Sequence, residues 1–298
     1  MAKTNHSNFL IVGAGAAGLF AGITAARRGL SVTLVEKMER PGRKLLITGK
    51  GRCNVCNCCT IEEFLPNVMS NPRFLYSCLN NFNPYEVMGF FEELGVPLKV
   101  ERGQRVFPES DRSMDVVDAL VDECRKLGCR FVRGTVKELL IEENCVKGVS
   151  TAEGKDYFAD AVLLCTGGKS YPATGSTGDG HRMAQELGHT IVEPRPSLVP
   201  LESPDEFCAQ MQGLALKNVT FTVKNKKKKV VYQEQGELLF THFGVSGPTV
   251  LSASCHLKGE GCRLVIDLKP ALEDSKLDDR IQRDLELYKN RSMENALT

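Results

Sequence analysis

Three glycines at G-x-G-x-x-G spacing (Gly13, Gly15 and Gly18) and an acid, Glu36, eighteen residues beyond the last of them, are the residues best placed to do chemistry. Together they form a device that holds the diphosphate of a dinucleotide. Gly13 permits a tight turn, Gly15 lets the backbone approach a pyrophosphate, and Gly18 lets a helix pack closely on a strand. Ala16 and Ala17 open that helix, and its first N–H groups and positive dipole end point at the phosphates. The Glu36 carboxylate can accept hydrogen bonds from ribose hydroxyls, and its charge disfavours a 2′-phosphate. Lys37 follows it directly. A lone G-x-G-x-x-G is weak evidence, so the surrounding elements decide its weight. Residues 9–12 are an apolar run that reads as a buried parallel strand, residues 16–28 an Ala- and Leu-rich helix stopped by Gly29, and residues 31–35 a second strand ending at Glu36. Strand, helix, second strand and acid fall in register.

A second small-residue turn lies far downstream. Residues 161–165 read as another buried strand, and it ends in Thr166, Gly167 and Gly168, where backbone can touch a cofactor with no side chain in the way. Between the two halves the chain makes a mainly helical excursion over about 57–107, then an amphipathic helix over 113–127 with Val116, Val117, Leu120, Val121, Cys124 and Leu127 on one face. A small meander over 130–157 follows, turning near Glu143 and Asn144. Within the excursion, Asn83 and Glu86 have capping-box spacing, with Pro84 in the first turn and Gly95 after the end. A plain nicotinamide domain runs its strands consecutively. Leaving the sheet after the acid and returning to a T-G-G turn is the order of a large FAD-binding domain. Val136, in the first meander strand, then becomes a backbone neighbour for the adenine. From residue 194 the character changes: prolines 194, 196, 200 and 204 mark a linker, residues 217–241 read as antiparallel strands around a turn at 225–229, and a charged helix begins near Asp274.

Composition narrows the classes. The 298 residues, 42% hydrophobic and 25% charged, supply one large core or two smaller ones, and a net charge of +1 gives no global pull toward nucleic acid or membrane. There is no apolar run of the ~20 residues that span a bilayer, and the opening MAKTNHSN is too polar for a signal peptide. Twelve cysteines in that context point to reduced thiols in the cytoplasm.

The strings GAGAAGL, KLLITGKGRCN, RVFPES, TGGKSYPATGSTGDG, PSLVPL and GELLFTHFGVSGP resemble the BaiN/YhiN-like NAD(P)/FAD-dependent oxidoreductases, some of them known as aminoacetone-oxidase-like flavoproteins. The resemblance runs from Phe9 to about Leu297. It implies an α/β fold: an FAD-binding Rossmann-type domain of the two-dinucleotide-binding kind (1–193), an inserted β-rich, barrel-like domain (194–270) and the start of a helical segment (271–298). By resemblance, Lys44, Thr48, Gly49, Arg52, Cys53 and Asn54 line the pyrophosphate and flavin side of FAD, and residues 171–180 form a loop near the flavin. The family continues with a last strand and a glycine-rich helix start that close over the flavin, and this chain ends before them. Cys56 stands where the family more often has Thr.

The implied activity is hydride transfer through flavin N5 to or from a small organic substrate, with NAD(P)H as a transient reductant that docks directly, since no second G-x-G-x-x-G follows a strand. No residue is assigned as catalytic acid or base. His242 is open to two readings, proton donor or structural hydrogen-bonding group. His181 and His189 flank a predicted helix and are read as ordinary. Cys53 and Cys56 have C-x-x-C spacing without the helix start of a redox dithiol, and Cys53, Cys56, Cys58 and Cys59 lack a second knuckle for a metal, so no metal is expected. LLCTGGKS lacks the first glycine of a Walker loop, and no G-x-S-x-G elbow occurs. Lysines 226–229 are either a solvated turn or a phosphate-contacting finger that holds RNA while a base in ribosomal RNA is reduced. A catalytically idle FAD-binding module is the remaining alternative.

Overall fold

The computed structural model describes residues 6–257, 261–290 and 292, in two compact units divided between Pro194 and Arg195. The first unit starts with β1 (His6–Val12), α1 (Ala16–Arg27), β2 (Val32–Glu36) and α2 (Arg43–Ile47). An excursion follows: β3 (Cys56–Asn57), α3 (Ile61–Phe64), α4 (Tyr76–Asn81), α5 (Pro84–Glu93), β4 (Leu98–Glu101) and β5 (Arg105–Pro108). Then come α6 (Ser113–Lys126), β6 (Arg130–Arg133), β7 (Val136–Glu142), β8 (Cys145–Thr151), β9 (Asp156–Leu164) and α7 (Asp179–Glu186).

The main sheet has the order β6-β2-β1-β9-β8-β7. Its register explains where the site must be. Val12 of β1 is opposite both Val35 of β2 and Leu164 of β9, all in parallel. Gly13, Glu36 and Cys165 therefore leave the sheet along one carboxyl edge, where open α/β sheets bind their ligands. Alternation along the strands buries both faces, as parallel sheets require. Ile11 and Leu34 pack with Leu19 and Ile23 of α1 and with Val116, Val117 and Leu120 of α6, while Leu10, Val12 and Val35 pack with Val136, Val149 and Met183 on the opposite face.

Three elements depart from the sequence reading. The 57–107 excursion is not mainly helical to its end: β3, β5 and β4 form a separate three-stranded antiparallel sheet, turned by Gly103 and Gln104 at positive φ. The meander does not start at residue 130, because β6 joins the parallel sheet beside β2 (Thr33 opposite Arg130) and only β7, β8 and the start of β9 are antiparallel. The returning strand is one continuous element from Asp156, and its last residues are half-buried, with Leu164 on the wall of the cavity described below.

The second unit contains β10 (Leu201–Glu202), α8 (Phe207–Gln210), β11 (Ala215–Lys224), β12 (Val230–Thr241), β13 (Gly244–Ser246), α9 (Pro248–Ser254), β14 (Arg263–Asp267) and α10 (Asp274–Leu287). Its antiparallel sheet has the order β10-β13-β12-β11-β14, packed around Phe221, Val223, Leu238, Phe240, Val245 and Val250. The β11–β12 turn is fixed by Asn225, whose side-chain oxygen accepts from the backbone N–H of Lys227 and Lys229, both at 3.0 Å. Of the helical segment expected over 271–298, residues 291 and 293–298 lie outside the described residues.

Candidate functional site

At the carboxyl edge of the first sheet, β1 turns into α1 in the space of three residues. Gly13 has φ +101°, and a Cβ there would lie 2.5 Å from the Cys165 carbonyl oxygen; a Cβ on Gly18 would lie 1.9 Å from the Gly13 oxygen. Both positions demand glycine for close packing of turn, strand and helix. Gly15 is different: a Cβ would meet nothing within 4 Å, because the position opens into a cavity of about 710 Å³. Gly15 is also the N-cap of α1, which has no side-chain cap and no acid in its first turn. The first amides of α1 are thus left for an anion, reinforced by the helix dipole.

Glu36 is fixed from both sides. One carboxylate oxygen accepts from Ala14 N–H at 2.7 Å and the other from Met38 N–H at 2.8 Å. Each oxygen keeps a second lone pair, so the group braces the glycine turn and can still receive a diol. Lys37 donates to Thr177 and Asp179, both at 2.6 Å, joining the end of β2 to the start of α7. Lys44 donates to Ser176 Oγ at 2.7 Å and to the Ser170 carbonyl at 2.8 Å, pinning the 170–176 loop to α2.

The cavity wall brings together many of the residues expected from sequence: Gly13, Gly15, Ala16, Ala17, Glu36, Lys37, Lys44, Thr48, Val136, Thr166 and Gly167. Gly18 and Gly168 are not on the wall; Gly18 acts through packing. Gly49, Arg52, Cys53 and Asn54 are also placed off it. Arg52 instead pairs with Glu101 and, at 2.6 Å, with Asp111, and its guanidinium lies 4.1 Å from the Phe107 ring centre. These partners hold the Arg52 pKa above its ordinary value, the Glu101 hydrogen bond first. Cys53 is buried, and burial raises its thiol pKa; Cys56 is pushed up to about 11, chiefly by burial, so both are thiols rather than thiolates near neutrality. Among the described residues no group of three or more His, Cys, Asp or Glu is placed to hold a metal ion. Likewise, among them no helix is long and apolar enough to cross a membrane.

Sequence reading missed part of the wall. Arg43, exposed on α2 beside Lys44, lines the cavity and has no ion-pair partner among the described residues, so it could pair with a phosphate. His181, Met183 and Ala184 reach the wall because α7 docks against β7, through Arg182 donating to the Lys137 carbonyl at 2.7 Å. His181 is within α7 rather than flanking it. Nothing in its local sequence signals this, since the contact depends on how a distant helix seats.

The donor set fits the ADP part of FAD: uncapped helix amides, an open glycine, small residues at Thr166 and Gly167, and an acid at the neighbouring strand end. Comparison with known proteins agrees with the fold. The chain is 31% identical over 275 residues to the 3-dehydro-bile acid delta(4,6)-reductase of Clostridium scindens, covering 90% of this chain and 66% of that protein. To the ribosomal RNA dihydrouridine synthase of Escherichia coli it is 30% identical over 289 residues, covering 97% of this chain and 69% of the relative. The chain thus spans about two thirds of the length of these relatives. Among solved structures, the 3-ketosteroid-delta4-(5alpha)-dehydrogenase of Rhodococcus jostii superposes with a TM-score of 0.50 at 15% identity, over 75% of this chain and 67% of that one. The fold is of the FAD-binding Rossmann type. The family model described as HI0933-like protein Rossmann domain matches residues 7–255, and the chain belongs to that family.

Proposed function

We propose that this chain is the FAD-holding part of an oxidoreductase that passes hydride through flavin N5 to or from a small organic substrate, with NAD(P)H as the transient reductant. The observation that carries the reading is the uncapped start of α1, open at Gly15 onto a cavity whose wall also carries Glu36. Bound FAD supplies the hydride chemistry, and the chain supplies position and charge. The α1 amides and Arg43 neutralise the diphosphate, Glu36 orients the ribose, and Lys44 holds the 170–176 loop at the cavity. A conjugated C=C bond is the favoured substrate group, because the two relatives named above, a delta(4,6)-reductase and a dihydrouridine synthase, both carry names of double-bond reduction.

The test is the absorption spectrum of the purified chain followed by anaerobic mixing with NADH and NADPH. Bound flavin that bleaches with one of them supports the reading; a colourless protein that takes up no FAD contradicts it.

A second reading, reduction of a base in ribosomal RNA, is favoured by one local feature. Lys226, Lys227, Lys228 and Lys229 stand on a turn braced by Asn225, with Lys228 at φ +60°, and form no ion pair among the described residues. A turn of like charges without acidic partners suits a polyanion. Replacing the four lysines with Gln should then weaken binding of ribosomal RNA and flatten its salt dependence. Unchanged RNA binding would leave the small-molecule reading.

A further inference from the structure

Helix α7 is pinned at two points along the cavity. Asp179 accepts from Lys37, the neighbour of Glu36, and Arg182 donates to the carbonyl of Lys137, the neighbour of Val136. His181 lies between these anchors and shares the cavity wall with Val136, Gly134 and Met183. Its Nδ1 is buried and has no hydrogen-bond partner among the described residues. A buried nitrogen without a partner is a net cost to the fold, and such groups in native proteins call for an explanation.

We propose that His181 hydrogen-bonds the adenosine end of the bound dinucleotide. This rests on the FAD reading and adds a residue to it. A half-turn of the imidazole about Cβ–Cγ exchanges Nδ1 with Cδ2, so a ligand in the cavity recruits the orphan nitrogen without moving the backbone. A neutral imidazole offers one donor and one acceptor, which matches an adenine edge or a ribose hydroxyl. The anchors decide which end of FAD it meets: both tie α7 to residues adjoining the ribose acid and the adenine neighbour.

The test is calorimetric titration of the wild-type chain and of His181→Phe, His181→Ala and His181→Gln with FAD and, separately, with ADP. The Phe variant keeps a ring of similar size and removes both nitrogens; Ala is a second loss variant should Phe not fold. The expected result is a loss of affinity of about three- to tenfold, the same for FAD and ADP, with partial recovery in Gln. Equal ADP affinity in the wild type and the loss variants overturns the assignment, as does a loss seen with FAD alone, which would place His181 at the flavin end. A wild-type chain that binds neither FAD nor ADP overturns the dinucleotide reading itself, and this assignment with it.

Discussion

Gly15 and Gly18 belong to one motif and tolerate a side chain very differently. A Cβ on Gly18 lands 1.9 Å from the Gly13 oxygen, whereas one on Gly15 enters open space. Gly18→Ala should therefore destabilise the protein by about 1–3 kcal/mol, as overpacking at a close contact does. Gly15→Val should leave stability within about 1 kcal/mol, since its backbone at φ −81° is ordinary, and should abolish FAD uptake. Denaturant melts together with FAD titration of both variants separate the two effects, and a Gly15→Val protein with full FAD content would contradict the assignment. The glycines and Glu36 were legible in the sequence because each role is local to one strand–turn–helix unit. Arg43 and His181 were not, because their places depend on which groups neighbouring elements leave unpaired. Arg52 is placed off the cavity wall for the same reason: its loop string is specific, yet Glu101 and Asp111, far along the chain, pair with its guanidinium.

Among the elements, α5 and α6 form where sequence placed them. The Asn83–Glu86 capping box is present, with Glu86 accepting from Asn83 N–H at 2.6 Å, and the apolar stripe of α6 is buried against α1. Such signals are short-range, and no competing interaction overrides them. The β4–β5 hairpin escaped notice because its strands are short and their pairing is fixed by tertiary contacts. One of these is the Arg52–Glu101–Asp111–Lys99 network, which joins the 48–54 loop to the small sheet. Arg52 lowers the Glu101 pKa, and Lys99 first, then Arg52, lowers that of Asp111. A carboxylate depressed in the folded state contributes stability above its unfolded pKa and loses it as pH falls through the folded value. Acid unfolding at low salt should therefore show a flatter acid limb in Arg52→Gln than in the wild type. The difference should shrink at high salt, because the groups are exposed. Identical limbs at low salt would mean that the network holds nothing in place.

At the scale of the molecule, the first unit brings the carboxyl ends of β1, β2 and β9 to one edge, and the site follows from that register. This much was readable from the order of strand, excursion and returning T-G-G turn. The junction of β6 with β2 was not, because parallel pairing between distant strands leaves no local mark. Membership of the HI0933-like family, over residues 7–255, gives the fold a second and independent basis. The central claim is that a diphosphate rests on the first amides of α1 while Glu36 holds the adenosine ribose. A crystal structure of the chain with FAD tests it most directly. The account predicts phosphate oxygens within hydrogen-bond distance of the Ala16 and Ala17 backbone N–H groups and a ribose hydroxyl on Glu36. A diphosphate bound anywhere else, with the α1 amides facing solvent, would contradict it.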